Sequence, residues 1–301
     1  MRLGYDGKLF MLAFDHRGSF QEAFFGIDGA PGPDDAARII DAKRVIFEGL
    51  QRALVDGLDG SAAGVLVDEQ FGTQVAHDAT QAGMVLAMPA EKSGQDEFDF
   101  EYGAEFSSHI QAFDPTFTKV LVRYNPEGDG ALNARQAMDL KELSEWLHGS
   151  GRLFLFELLV PAEPHQLEAA GNDALRYDRE SRPALMKAAI AQLQETGVEA
   201  DVWKIEGVDD REQCAEIAEQ CRIGGRDDVG CVVLGRGADD AAVDGWLRAA
   251  RGVPGYQGFA IGRSIWWHPL KFFVDGAMAR DEAIAQIANN YRRFVAVYEE
   301  G

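Results

Sequence analysis

A lysine inside a strand-like run is the first feature that asks for chemistry. The segment "DVWKIEG" over 201–207 sets Lys204 between Trp203 and Ile205, although lysine is strongly hydrated and depleted from strand interiors. Two further charges interrupt apolar runs in the same way: Lys119 in "TKVLVRY" (118–124) and Glu157 in "RLFLFELLV" (152–160). A mid-strand carboxylate is costly unless paired, so inward-facing Lys119, Glu157 and Lys204 would compensate one another. The chemistry such a set serves is imine formation. A lysine amine attacks a ketone only as the free base, against a reference pKa of about 10.4. Burial and a second ammonium both disfavour the charged form. In this reading Lys204 is the nucleophile and Lys119 the second ammonium. Glu157 moves protons as the carbinolamine loses water, and Asp15, ending the run "KLFMLAF" (8–14), orients the amine or a substrate hydroxyl.

The elements that must position these residues are legible as eight apolar runs. They lie at 8–14, 63–67, 83–89, 118–124, 152–160, 201–205, 230–234 and 256–262. Between them, apolar residues recur at spacings of three and four over 34–56, 133–148, 182–196, 211–221, 239–250 and 281–298, with weaker helical signals over 73–82 and 101–113. Asp34, Asn133 and Asp239 are the expected N-caps, and Pro183 suits a first helical turn. Near-continuous Val/Leu/Ile/Phe strands alternating with amphipathic helices imply a parallel sheet covered by helices. Eight such units predict an α/β fold, a (β/α)8 TIM barrel forming one domain over 1–301. Strand alternation then turns Val202, Lys204 and Glu206 inward and Trp203 and Ile205 towards the helices. A charged cluster in a barrel interior, which branched apolar residues usually fill, favours chemistry over a self-satisfied ion network.

Active sites of such barrels lie at the C-terminal ends of the strands, and the loops after strands 7 and 8 commonly bind phosphate. Here those ends read "LGRG" and "IGRS", each joining close backbone approach to one arginine. The expected phosphate set is Arg263 with Gly235, Arg236, Gly262 and Ser264. Lys92 and Arg123, above strands 3 and 4, are placed to meet an anionic or hydroxylated substrate tail. The six histidines (16, 77, 109, 148, 165, 268) show no HxxxH or HxH spacing, so a histidine-ligated zinc is not expected. Asp68, Glu69 and Glu91 are the one oxygen set that would suit Mg²⁺. No Ser/His/Asp elbow and no dinucleotide fingerprint stands where it should. No metal and no cofactor is expected.

Bulk properties narrow the partners. The formal net charge of −21 speaks against nucleic acid and against a generally anion-attracting surface. An anionic substrate must therefore be held by locally placed cations, and the chain has only 8 lysines. No run approaches the roughly 18–20 apolar residues of a membrane span, and the N-terminus lacks a secretory signal. Three cysteines without a CxxC pair argue against a disulfide framework and for a reduced cytoplasm.

Taken in order, "LAFDHRGSF", "VDEQFG", "EKSGQ", "LVRYNPEGD", "FELLVPA", "DVWKIEG", "VLGRG" and "GFAIGRSIW" run through nearly the whole chain. They resemble the aldolase-like domain of bacterial inositol catabolism, a 2-deoxy-5-keto-gluconate 6-phosphate aldolase. More distantly the chain is similar to class I tagatose 1,6-bisphosphate and 6-deoxy-6-sulfofructose 1-phosphate aldolases. The resemblance implies a TIM barrel with Asp15, Lys119, Glu157 and the imine-forming Lys204 as its catalytic set, and Arg263 in the phosphate region. It implies a small phosphorylated keto-sugar or keto-acid as substrate, and it allows a homo-oligomer. The segments "VDEQFG" and "EKSGQ" depart from those aldolases and are expected to shape the non-phosphate end of the pocket.

Overall fold

The computed structural model describes residues 2–300. Eight parallel strands close into a barrel in chain order. They are β1 Leu9–Ala13, β2 Ala63–Leu66, β3 Val85–Pro89, β4 Phe117–Arg123, β5 Leu153–Leu159, β6 Val202–Glu206, β7 Gly230–Leu234 and β8 Tyr256–Ile261. Each coincides with one of the eight apolar runs, and the (β/α)8 barrel is the observed architecture. Twelve helices surround it: α1 Gly18–Phe25, α2 Pro33–Val55, α3 Glu69–Gln81, α4 Phe106–Phe113, α5 Gly130–Gly149, α6 Pro164–Ala169, α7 Ala174–Glu180, α8 Arg182–Glu195, α9 Arg211–Arg222, α10 Asp240–Ala250, α11 Arg263–Val274 and α12 Arg280–Glu299.

Alternation along the strands builds two cores. Leu9, Met11, Phe117, Leu155, Val202 and Val232 fill the lower barrel, where only apolar side chains meet. The outward set, including Trp203 and Ile205, packs under the helices. Ala13 and Ala260 end the interior stack beneath the pocket, and such small side chains leave room above them. Charged residues occupy that upper layer. Glu157 of β5 and Lys204 of β6 are register partners, while Lys119 of β4 stands opposite Leu155.

Two of the expected caps are corrected. Gly32, not Asp34, precedes α2; Pro33 opens the helix, and Asp34 and Asp35 lie in its first turn, where the dipole favours acids. Asp129, not Asn133, caps α5 by accepting from the Ala131 and Leu132 amides. Asn133 lies a turn further in, donating to the Asn125 carbonyl at 2.7 Å. Asp239 caps α10 as expected, and Pro183 lies in the first turn of α8. No helix among the described residues is long and apolar enough to cross a membrane.

Candidate active site

A pocket of about 600 Å³ opens at the C-terminal ends of the strands, floored by Ala13 and Ala260 and lined by Asp15, Lys119, Glu157 and Lys204. The structure thus brings together the four residues that the sequence reading had isolated on β1, β4, β5 and β6. Lys204 Nζ donates to Glu157 Oε2 at 2.9 Å. The same oxygen lies 3.0 Å from Lys119 Nζ. Lys119 also donates to Asp15 Oδ2 at 2.8 Å and to Glu91 Oε1 at 2.7 Å.

The two lysines are not equivalent. An ammonium has three N–H donors. Lys119 meets three carboxylate oxygens, whereas Lys204 donates to Glu157 alone and borders open space. Burial opposes a charge on Lys119, but Asp15, Glu157 and Glu91 outweigh it and hold its pKa above the ordinary lysine value. Lys119 is a fixed cation. Burial likewise pushes Asp15 up, yet Lys119 and Lys204 dominate and hold it well below the carboxylate range. Glu157 is lowered against its own burial by the same two ammonium groups. At Glu91 the balance reverses: burial wins over Lys119 and Arg17, and its pKa is raised.

Glu91 was read in the sequence only as a Mg²⁺ ligand beside Asp68 and Glu69, and the structure separates the three. Asp68 is fully buried against the Lys43 ammonium of α2 and caps α3 through the Phe71 amide. Glu69 meets His109, and Glu91 joins Lys119. Among the described residues, no group of three or more His, Cys, Asp or Glu is arranged to hold a metal ion.

Glu91 reaches the site on a flap after β3. The Glu91–Phe100 bridge, with Lys92 N–H donating to the Asp99 carbonyl at 2.9 Å, folds this segment back on itself. Arg17 fastens it, donating to the Glu91 carbonyl at 2.7 Å and to Glu101 Oε2 at 2.8 Å. Arg17 and His16 were visible in "DHRG" but had no assigned role, since nothing local marks which loop they clasp. His16 lines the pocket. Burial, opposed by Asp15 and helped by Arg263, Lys204 and Lys43, lowers its pKa to about 4, so the ring is neutral near pH 7.

The turn after β7 and the start of α11 form the opposite wall. Arg236 adopts a left-handed backbone, φ 54°, which costs a non-glycine residue on the order of 1 kcal/mol. Its guanidinium is held by Asp178 at 2.6 Å and Glu206 at 3.0 Å, while Arg263 donates to the Arg236 carbonyl at 3.0 Å. Gly262 must be glycine, because a Cβ there would meet the Ala13 carbonyl oxygen at 2.2 Å. Arg236, Arg263 and Gly262 line the pocket. Gly235 and Ser264 stand outside its lining, the Ser264 hydroxyl donating to the Ala238 carbonyl. Lys92 and Arg123 reach the rim on the flap side, Arg123 donating to the Gln95 carbonyl at 2.7 Å.

The lining carries seven cationic side chains (Arg17, Lys92, Lys119, Arg123, Lys204, Arg236, Arg263) against four carboxylates (Asp15, Glu22, Glu91, Glu157). A chain of formal charge −21 therefore concentrates positive charge at one mouth. What fold and site define is a (β/α)8 barrel with a lysine-bearing cationic pocket at its C-terminal face.

Within that class, residues 3–301 match the model of the DUF2090 family, described as an uncharacterized protein conserved in bacteria, and the chain belongs to it. No curated protein matches the chain. Among solved structures it is similar to a fructose-bisphosphate aldolase from Slackia heliotrinireducens DSM 20476, with TM-score 0.59 and 15% identity over 98% of this chain and 86% of that one. It is similarly like Cgl0159 from Corynebacterium glutamicum (Brevibacterium flavum), with TM-score 0.59 and 17% identity over 98% of this chain and 88% of that one. At these identities the likeness establishes the barrel.

Proposed function

We propose that the protein is a Schiff-base-forming (class I) aldolase acting on a phosphorylated keto-sugar or keto-acid. One observation carries this: Lys204 Nζ, under-bonded at the edge of the pocket, lies 2.9 Å from a carboxylate that a permanently charged Lys119 also holds. The unprotonated Lys204 attacks the substrate ketone. Glu157, ionised, takes the proton from the new C–N adduct and passes it to the alkoxide oxygen, giving the neutral carbinolamine. A second proton, drawn from water in the pocket through Glu157, lets the hydroxyl leave as water and gives the iminium; enamine hydrolysis later returns that proton. Asp15 then accepts the proton of the hydroxyl two carbons from the iminium carbon. The intervening C–C bond breaks, its electrons flow to the iminium as an enamine, and an aldehyde leaves. Protonation and hydrolysis of the enamine return the amine and release the second product.

The cationic groups on two sides of the pocket suit a substrate charged at both ends. Arg263 and Arg236 would take the phosphate, and Lys92 and Arg123 a carboxylate. The substrate that fits both is 2-deoxy-5-keto-gluconate 6-phosphate, cleaved to dihydroxyacetone phosphate and malonate semialdehyde. The aldolase structure likeness is compatible with this reading, as is the sequence resemblance to aldolases. The test is borohydride reduction in the presence of dihydroxyacetone phosphate, followed by peptide mass spectrometry. The expected result is a stable adduct on Lys204 that is absent from Lys204→Met; an unmodified Lys204 refutes the proposal.

A further inference from the structure

Imine formation at Lys204 requires the amine to lose a proton while it is buried among charges, and the structure offers a destination for it. From Lys204 Nζ the contacts run to Glu157 Oε2 at 2.9 Å, on to Lys119 Nζ at 3.0 Å, and on to Glu91 Oε1 at 2.7 Å. The relay ends in a carboxyl group that is 7% exposed and whose second oxygen, Oε2, is buried without any hydrogen-bond partner. An ionised carboxylate with one oxygen left bare in the interior is expensive, whereas a neutral acid carries that vacancy at far lower cost. Every other carboxyl in the cluster is held ionised by ammonium groups. Glu91 alone is pushed the other way by its burial.

We propose that Glu91 is the proton acceptor that frees the Lys204 amine, reached through Glu157 and Lys119. This rests on the reading of Lys204 as the nucleophile. The Lys204 ammonium gives a proton to Glu157. Glu157 passes it to Lys119 as Lys119 hands one of its own to Glu91. At the end Lys204 is an amine, Glu157 a carboxylate, Lys119 an ammonium and Glu91 a carboxylic acid. Proton number and net charge of the cluster are unchanged, so the free base arises without exchange with bulk water. The return of the imine to amine and ketone reverses the relay.

The groups that act on its two ends are all in view. Glu91 faces Lys119 from β4, Arg17 and Asp15 from the end of β1, and stands beside Glu101 of its own flap through the shared Arg17. Lys204 is surrounded by Glu157, Asp15 and His16, with Arg263 beyond His16. None but Glu91 combines burial, an unpartnered oxygen and contact with Lys119. Because Glu91 acts through Lys119 and Glu157, it is a positioning residue for the proton rather than a group that touches substrate.

The experiment is competitive acetylation of the intact protein across pH, with the extent of labelling at Lys204 read by mass spectrometry and no substrate present. Glu91→Asp keeps the negative charge but draws the carboxyl back from Lys119, so it stays ionised and cannot take the proton. Its expected effect is an upward move of the Lys204 labelling midpoint by about one pH unit. That is about tenfold slower labelling below the midpoint, with rates converging on the unsubstituted protein at alkaline pH. A midpoint equal to that of the unsubstituted protein, or an equal fractional loss at every pH, overturns the relay. A variant-independent check is the infrared carbonyl band of protonated carboxyl groups in the unsubstituted protein. It should persist across the pH range in which Lys204 becomes labelled, since the relay leaves Glu91 protonated there, and its absence from that range overturns the relay as well. Failure of borohydride trapping with normal labelling behaviour would instead remove the aldolase reading, so the two failures are distinct.

Discussion

Replacing Lys43 by methionine should unfold the protein far more readily than its distance from the reacting atoms suggests. Lys43 lies on α2 with no exposed surface, paired with an equally buried Asp68. Its ammonium also donates to the Phe14 carbonyl at 3.0 Å and the His16 carbonyl at 2.9 Å, so it clasps both sides of Asp15. The rings of Phe20 and Phe71 lie 5.4 Å and 5.8 Å away. Removing one partner of a buried pair costs about 3–5 kcal/mol, because the other charge is left uncompensated. Methionine conserves much of the volume, so little of that cost is cavity. Against a total stability of about 5–15 kcal/mol for a typical domain, this is a large fraction. Asp68→Asn in the same background removes the stranded charge, and its side-chain oxygen still accepts the Phe71 amide, now at 2.8 Å to Asp68 Oδ2. The double variant should therefore recover about 2 kcal/mol relative to the sum of the single losses. Urea unfolding followed by intrinsic tryptophan fluorescence measures all four members of the cycle. A loss below about 1 kcal/mol for Lys43→Met, or strictly additive losses, refutes the claim that this pair anchors the turn carrying Asp15.

Two further outcomes follow from the pocket. Arg263 makes one protein hydrogen bond through its guanidinium, so Arg263→Ala should raise KM for a phosphorylated ketose roughly 10–100-fold, the worth of one charge-assisted bond, without lowering Tm. Arg236→Ala should raise KM and lower Tm together, because it strips one of two arginines from the buried Glu206; steady-state kinetics beside thermal melts separate the two. His16 gives a pH dependence of definite sign. Its folded pKa, about 4, lies below the ordinary 6.5, so its contribution is full above pH 6.5 and is lost as pH falls towards 4. With about 30% of the side chain open to solvent, the shift is discounted for screening to about 1–2 kcal/mol. The difference in unfolding free energy between the unsubstituted protein and His16→Gln should close by that amount between pH 7 and 4.5. A pH-independent difference contradicts the assignment.

The barrel was legible because its strands are long apolar runs bounded by turns, and that signal depends on nothing distant. The helices that escaped notice, α1, α6 and α7, have 8, 6 and 7 residues, shorter than the window over which a 3.6-residue period can be recognised. The fourth, α11, carries Pro269 in its interior and an aromatic run around it, which blurs the period. The interior lysines and Glu157 were legible because a charge inside an apolar run is anomalous by itself. Glu91, Arg17 and Glu101 were not, since charged residues in loops are ordinary and only the folded flap shows what they clasp. The ion pair of Asp68 was illegible for a related reason. Its partner Lys43 lies 25 residues earlier, on a helix position that spacing alone does not mark as buried.

The sequence reading takes Lys204 as the nucleophile and Lys119 as the second ammonium, and the two differ in how their hydrogen-bond donors are used. An interior ammonium that only completed an ion network would be expected to use all its donors, because each unmet N–H in the interior carries a penalty. Lys119 comes closer to that rule, donating to Asp15 and Glu91 with a third carboxylate oxygen, that of Glu157, at 3.0 Å; Lys204 donates to Glu157 alone, although it is 2% exposed. The fold thus bears the cost of an under-bonded amine at one point, beside a pocket large enough for a sugar phosphate, while surrounding its neighbour with carboxylates. Stability alone gives no reason for that asymmetry, since apolar residues of similar volume can replace a buried ion pair without loss. A reaction that needs one amine to attack as the free base and another to stay charged does give a reason. It predicts that Lys119→Met and Lys204→Met differ in kind: both should lose cleavage, but only the Lys204 variant should lose every trace of borohydride-trapped adduct. If Lys119→Met abolished trapping while Lys204→Met retained it, the roles assigned here would be reversed.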